Sequence, residues 1–269
     1  MELYYIWLEC IKGLGPLGWH LLLEEIGNPY EIYRNRDSLI PQGRITENCI
    51  RLINDGAEQA LEKAKIILDG CREQGIHIVK YEDQEFSANI KNNMEFPVLF
   101  YYKGKIKENW THGTGIVGGR RCSQEGKECA VRTAVQTVGD NCPVISGMAK
   151  GIDSYAHTAA INNGGYTIAV LGFGIDQCYP IEHRKLKEVI AEEGLLISEY
   201  PPGTKPSKFS FPRRNRIIAG LSDIIYVIDT GKNSGTASTV NAAERYGKII
   251  RKIDVPVKGE ERKNKDDYQ

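Results

Sequence analysis

The stretch Lys208–Thr230, KFSFPRRNRIIAGLSDIIYVIDT, joins a basic run to an apolar run. Between Lys205 and Gly220 there are five basic side chains and no acidic one, in a chain that balances 35 Lys and Arg against 35 Asp and Glu. A local cluster in a neutral chain marks a site for something negative. The second half, Asp223–Asp229, is short, rich in Ile and Val and bounded by polar residues, as a buried strand is.

Outward from this stretch the same unit recurs. The segments IHIVKY (76–81), PVLFYYKG (97–104), TGIVGG (114–119), PVISG (143–147), YTIAVLG (166–172), GLLISEY (194–200) and KIIRKI (248–253) are further strands. Helical spacing fills the gaps near Glu125–Val138, Asp153–Asn163, His183–Glu193, Arg214–Leu221 and Thr236–Tyr246. Strands alternating with helices give an α/β fold, a mostly parallel sheet covered on both faces, with ligands bound beyond the carboxyl ends of its strands. The N-terminal third reads differently. LYYIWLECI, PLGWHLLLEEIG and a long apolar stripe from Thr46 to Leu68 are helices. The organisation expected is a helical domain over 1–74, an α/β domain over 75–256 and a charged tail over 257–269.

Composition narrows the class. An apolar fraction of 41% and a charged fraction of 26% are those of a soluble globular protein. No segment has the ~18 consecutive apolar residues of a membrane span. The start, MELYYIWLEC, has no basic n-region of a signal peptide. Seven irregularly spaced cysteines without C-x-x-C favour reduced thiols and a cytoplasmic location. The histidines do not join them at ligand spacing, so no metal site is expected.

The carboxyl ends of the strands carry glycines followed by polar or basic residues: Gly118, Gly119 and Arg120; Ser146, Gly147, Lys150 and Gly151; and Ser234, Gly235 and Thr236. Glycines let a backbone approach a ligand, and a following helix offers free N–H groups to an anion. Several such turns on one sheet edge form a phosphate-binding surface. There is no G-x-x-x-x-G-K-S/T, which argues against P-loop hydrolysis, and no clean G-x-G-x-x-G, which argues against ordinary NAD binding. No cofactor is expected.

GIVGGRRCSQEG, ISGMAKGIDSYAH, TIAVLGFGIDQCYPIEHRKL, LISEYPPGTKPSKFSFPRRNRIIAGLS and NSGTASTVNAAERYGK, in that order from about Tyr81 to Gly247, resemble the DNA-processing protein A (DprA, or Smf) family. The resemblance implies a Rossmann-like domain that binds single-stranded DNA and loads the recombinase RecA during natural transformation, with no known catalysis. It places Arg213, Arg214, Asn215 and Arg216 on the DNA backbone, with Arg120 and Lys150 joining from neighbouring turns. Phe209 and Tyr155 are candidates to stack bases. Asp153 and His157 match the family's GID..AH element and are expected to form a buried structural pair. IKGLGPLGWHLLLEEIG (11–27) looks like the helix-hairpin-helix unit of a SAM-like domain, which either holds phosphates or simply packs.

Departures from the pattern bear on partners. Gly119 stands where the family usually has serine. The last strand is basic, and KIIRKIDVPVKGEERKNKDDYQ replaces the family's usual continuation, which counts against its homodimer and against retained RecA loading. Two other classes compete. Nucleoside-monophosphate phosphoribohydrolases carry a P-G-G-x-G-T-x-x-E element that GKNSGTASTVNAAE resembles loosely, with Glu244 displaced. A nucleotide-sensing module would use the same turns for a small ligand.

Overall fold

The computed structural model describes residues 1–84, 90, 93–107, 113–229 and 235–255. The predicted site residue Ser234 and the predicted tail lie outside them. Four helices come first: α1 (Glu2–Cys10), α2 (Pro16–Glu25), α3 (Pro29–Arg34) and α4 (Glu47–Glu73). Thr46 caps α4 as expected, its hydroxyl accepting from the Cys49 N–H at 3.3 Å. The helix runs past Leu68 to Glu73 because Cys71 continues its buried stripe.

All eight expected strands form: β1 (His77–Lys80), β2 (Leu99–Gly104), β3 (Thr114–Gly118), β4 (Val144–Ser146), β5 (Thr167–Leu171), β6 (Leu195–Ser198), β7 (Ile224–Ile228) and β8 (Ile249–Ile253). They make one sheet in the order β1-β2-β6-β5-β4-β3-β7-β8. β3 to β8 are mutually parallel, and β2 runs antiparallel to both β1 and β6. The helices between are α5 (Gln124–Gly139), α6 (Ile152–Asn162), α7 (Arg184–Glu193), α8 (Ser210–Leu221) and α9 (Ala237–Arg245).

The α8 helix begins four residues before the expected Arg214. Ser207 and Ser210 cap its start reciprocally, each side-chain oxygen accepting from the other's backbone N–H at 3.1 and 3.2 Å. Pro212 then falls in the first turn, where a missing N–H costs nothing.

Helices lie on both faces. Ile217, Ile218 and Leu221 of α8 and Ala242 of α9 pack on Val117, Ile168, Val170 and Ile197. On the other face α5 and α6 bury Ala130, Ala134 and Ala156 against Ile116, Val144 and Ile228. The N-terminal helices share a core with that second side: Trp7, Leu22 and Ile53 belong to one cluster with Leu99, Tyr101, Leu171 and Leu196. No helix among the described residues is long and apolar enough to cross a membrane.

Topology positions the site. From β3 the chain steps outward through β4, β5 and β6, then returns to the far side of β3 with β7. Connections therefore diverge at the β3–β7 pair, and a crevice opens at their carboxyl ends.

Candidate nucleic-acid interface

The crevice is a cleft of about 750 Å³. Gly118 and Gly119 end β3 there, and no larger residue fits. A Cβ on Gly118 would stand 2.1 Å from the Ile228 carbonyl oxygen, and one on Gly119 would stand 2.4 Å from that of Asp229. The close pass delivers Arg120 to the mouth of the cleft. Arg120 is exposed and forms no ion pair among the described residues, its guanidinium lying 6.0 Å from the centre of the Phe211 ring.

The loop after β4 is held from within. Asp153, in the first turn of α6, accepts from the N–H groups of Gly147 at 3.1 Å and Ala149 at 3.3 Å. Burial raises its carboxyl above the usual range, while the Arg214 charge and these hydrogen bonds act the other way. Ser146 is buried and donates to the Ile116 carbonyl at 2.6 Å, so its hydroxyl ties β4 to β3. Gly151 takes φ +77°, and a Cβ there would meet the Gly119 carbonyl at 2.2 Å. Both facts demand glycine. Lys150 is exposed at the same turn and pairs with Glu182.

Arg214 enters from α8. It lines the cleft, yet only 4% of its surface is exposed. One guanidinium nitrogen donates to the Gly147 carbonyl at 2.6 Å and to that of Val170. Burial lowers its pKa to about 10, which leaves it charged at neutral pH. Asn215, beside it, donates to Ser238 Oγ at 2.8 Å and to the Gly235 carbonyl at 3.2 Å. It thereby fixes the start of α9, where Gly235 and the buried Thr236 complete the wall.

The basic run does not act as one group. Residues on a helix advance by about 100° each, so Arg213 and Arg216 point away from the cleft. The two terminal guanidinium nitrogens of Arg216 donate to Glu199, at 3.0 and 2.8 Å, and Arg213 reaches the same carboxylate at 3.2 Å. Phe209 is 75% exposed and does not line the cleft. Tyr155 packs on the α5–α6 side beneath Lys127, 5.0 Å from its ring centre. Asp153 and His157 do not pair with each other. The His157 Nδ1 lies 2.7 Å from Thr167 Oγ1, and that hydroxyl donates to the Val144 carbonyl, so Nδ1 carries the proton. Glu244 is exposed on α9 and does not line the cleft.

Sequence reasoning missed Arg121, Tyr179, Lys208 and Phe211, which line the cleft. Lys208 and Phe211 stood inside the basic run and were signalled by it. Tyr179 was not: it stacks on Phe211, with ring centres 5.5 Å apart, across a gap that only the fold closes. Among the described residues, four cations and one carboxylate line this cleft of a neutral chain.

The family model for DNA recombination-mediator protein A matches residues 77–267. The chain belongs to that family. A DNA processing protein DprA from Streptococcus pneumoniae is 34% identical over 244 residues, 82% of this chain and 85% of the relative. A Smf protein from Synechocystis is 31% identical over 93% of this chain, which spans 63% of that relative. The X-ray structure of the pneumococcal DprA superposes with a TM-score of 0.74 over 96% of this chain and 89% of that one, at 30% identity. DNA processing protein A from Helicobacter pylori, solved in a study of its single-stranded DNA binding mode, superposes with a TM-score of 0.59 over 68% and 82% of the two chains, at 25% identity. The expected family and its Rossmann-like, mostly parallel fold are borne out.

Proposed function

We propose that this protein binds single-stranded DNA in the β3–β7 cleft and acts in DNA processing. The carrying observation is the charge of that cleft, four cations to one carboxylate in a chain of zero net charge. The single-strand binding of the Helicobacter pylori protein, which has the same fold, supports the reading. Arg120, exposed and without an ion pair among the described residues, offers its hydrogen-bonding fork to a phosphate. Arg121 and Lys208 add charge at the rim. Arg214 and Asp153 set the floor rather than reach out, and the glycine turns bring backbone close to the strand. A groove of this kind follows a repeating backbone and needs no base sequence. Handing the strand to a RecA-type recombinase during DNA uptake is the role the family resemblance implies, and it completes the proposal although the basic last strand and the segment after it depart from the family's pattern.

The reading is one of binding. In the competing phosphoribohydrolase reading Glu244 would be the catalytic carboxylate, and its side chain stands on the exposed face of α9. Oligonucleotide titrations at matched salt test the proposal. A single strand should bind tighter than its duplex at every salt concentration. Equal or tighter duplex binding would refute it.

A further inference from the structure

A second cavity, about 520 Å³, lies between the turn that joins α1 to α2 and the loop after β6. Glu9 and Trp19 line it from the helical segment, Tyr101 from β2, Tyr200 from the loop, and Arg213 and Arg216 from α8. Two buried polar atoms here are unmatched. Trp19 is 7% exposed, and its indole N–H, which can only donate, has no partner among the described residues. Glu9 Oε1 is buried and also has none. Buried polar groups are nearly always satisfied, so two orphans in one cavity point to a ligand that meets them.

The helix that carries Trp19 also starts at this cavity. Gly15 precedes α2 with no side-chain cap, Pro16 follows at its first position, and both line the wall. The charges nearly balance, with three carboxylates and four cations along the lining among the described residues. Arg216 is committed to Glu199, while Arg213, half exposed, touches that carboxylate through Nε, so an anion at the rim would meet Arg213 together with the exposed Lys12 and Lys63. The balance suits a neutral group inside and a single negative group at the rim.

We propose that this cavity receives one nucleobase of the bound single strand, read by the Glu9 carboxyl and the Trp19 indole N–H, with its phosphate at Arg213. The inference rests on the single-strand reading above. Every nucleobase offers a donor and an acceptor side by side on its pairing edge, the donor for a Glu9 carboxyl oxygen and the acceptor for the Trp19 N–H. Aromatic walls suit its faces, as in other proteins that splay bases out of a single strand. The route is short. Arg214 and Asn215 line the first cleft and Arg213 and Arg216 the second, so α8 is the partition between them. A strand crosses it in roughly one helix diameter, ~10–12 Å.

Photo-crosslinking of the full chain to a decamer carrying 5-iododeoxyuridine tests this directly. Crosslinked peptides should include residues 9–19 or Tyr200, besides those of the first cleft. Crosslinks confined to 118–121 and 206–215 would overturn the inference while leaving the single-strand reading intact. A wild-type chain that binds no single strand removes both. The second arm is Trp19→Phe, which keeps an apolar ring and deletes the N–H. Decamer affinity should fall about three- to tenfold, the size of one lost hydrogen bond, while affinity for a dinucleotide, too short to bridge both cavities, stays unchanged. Unchanged decamer affinity in a variant that melts like the wild type contradicts the assignment of Trp19.

Discussion

Within Arg213–Arg216 three arginines share one stretch of sequence and three different fates. Arg214 is sunk beneath Gly147, where a Cβ would stand 2.5 Å from its guanidinium. Arg216 forms a two-pronged pair with Glu199, which is itself 7% exposed. Arg213 stays half exposed on the same carboxylate. The basic cluster was legible in the sequence, and so was its nearness to the site. Its division was not, because Glu199 lies seventeen residues upstream of Arg216 and only the fold brings them together. Breaking a buried pair leaves a charge without a partner, at a cost of about 3–5 kcal/mol. Arg216→Ala should therefore lower the melting temperature sharply, and Arg216→Lys should restore it only in part, since lysine cannot reproduce the two-pronged geometry. An Arg216→Ala variant that melts with the wild type would show the pair to be without weight. Arg120 is the opposite case, an exposed side chain without an ion pair among the described residues, which gives it little structural role.

At the scale of elements, periodicity marked all eight strands and the helices between them, with boundaries shifted by a few residues. It gave no neighbour order. Nothing in PVLFYYKG says that it runs antiparallel between β1 and β6, because a strand's own pattern reports burial and not its partners. The early start of α8 was hidden by Pro212, which reads as a stop until the Ser207–Ser210 cap is seen. The tie between α6 and β5 carries a pH prediction. His157 is fully buried on α6 against Thr167 of β5, and burial, with Arg214 and His183 nearby, pushes its pKa down to about 3. The ordinary value is about 6.5. Between those values the unfolded chain takes up a proton that the fold excludes. Stability from this group is thus complete above about pH 6.5 and lost as pH falls, by at most ~1.4 kcal/mol per unit. Asp153 and Glu9, whose carboxyls are raised by burial, act in the opposite sense. They are common to both proteins when wild type is compared with His157→Gln, so they cancel. The variant should start less stable at pH 7 and lose less on going to pH 5. Parallel melting curves over that range would contradict the account.

At the scale of the whole molecule, the sheet reversal at β3 and β7 decides where a ligand sits, and the glycine turns and basic run converge on it. The N-terminal helices share a core with the sheet and form the second cavity with α8. The sheet ends at β8, where Arg251 and Lys252 stand exposed, charges of the kind that discourage pairing with another edge. On this reading the cleft at the reversal holds the phosphates of a single strand, with Arg120 among its exposed cations that form no ion pair with the described residues. The most direct measurement is the salt dependence of single-strand affinity for the wild type and for Arg120→Ala. The logarithm of affinity should fall linearly with the logarithm of salt concentration, by about 0.7 for each phosphate neutralised. Arg120→Ala should weaken binding to every sequence alike and make that slope shallower by about 0.7, with the melting temperature unchanged. A variant with the wild-type slope and affinity would place the strand elsewhere on the molecule.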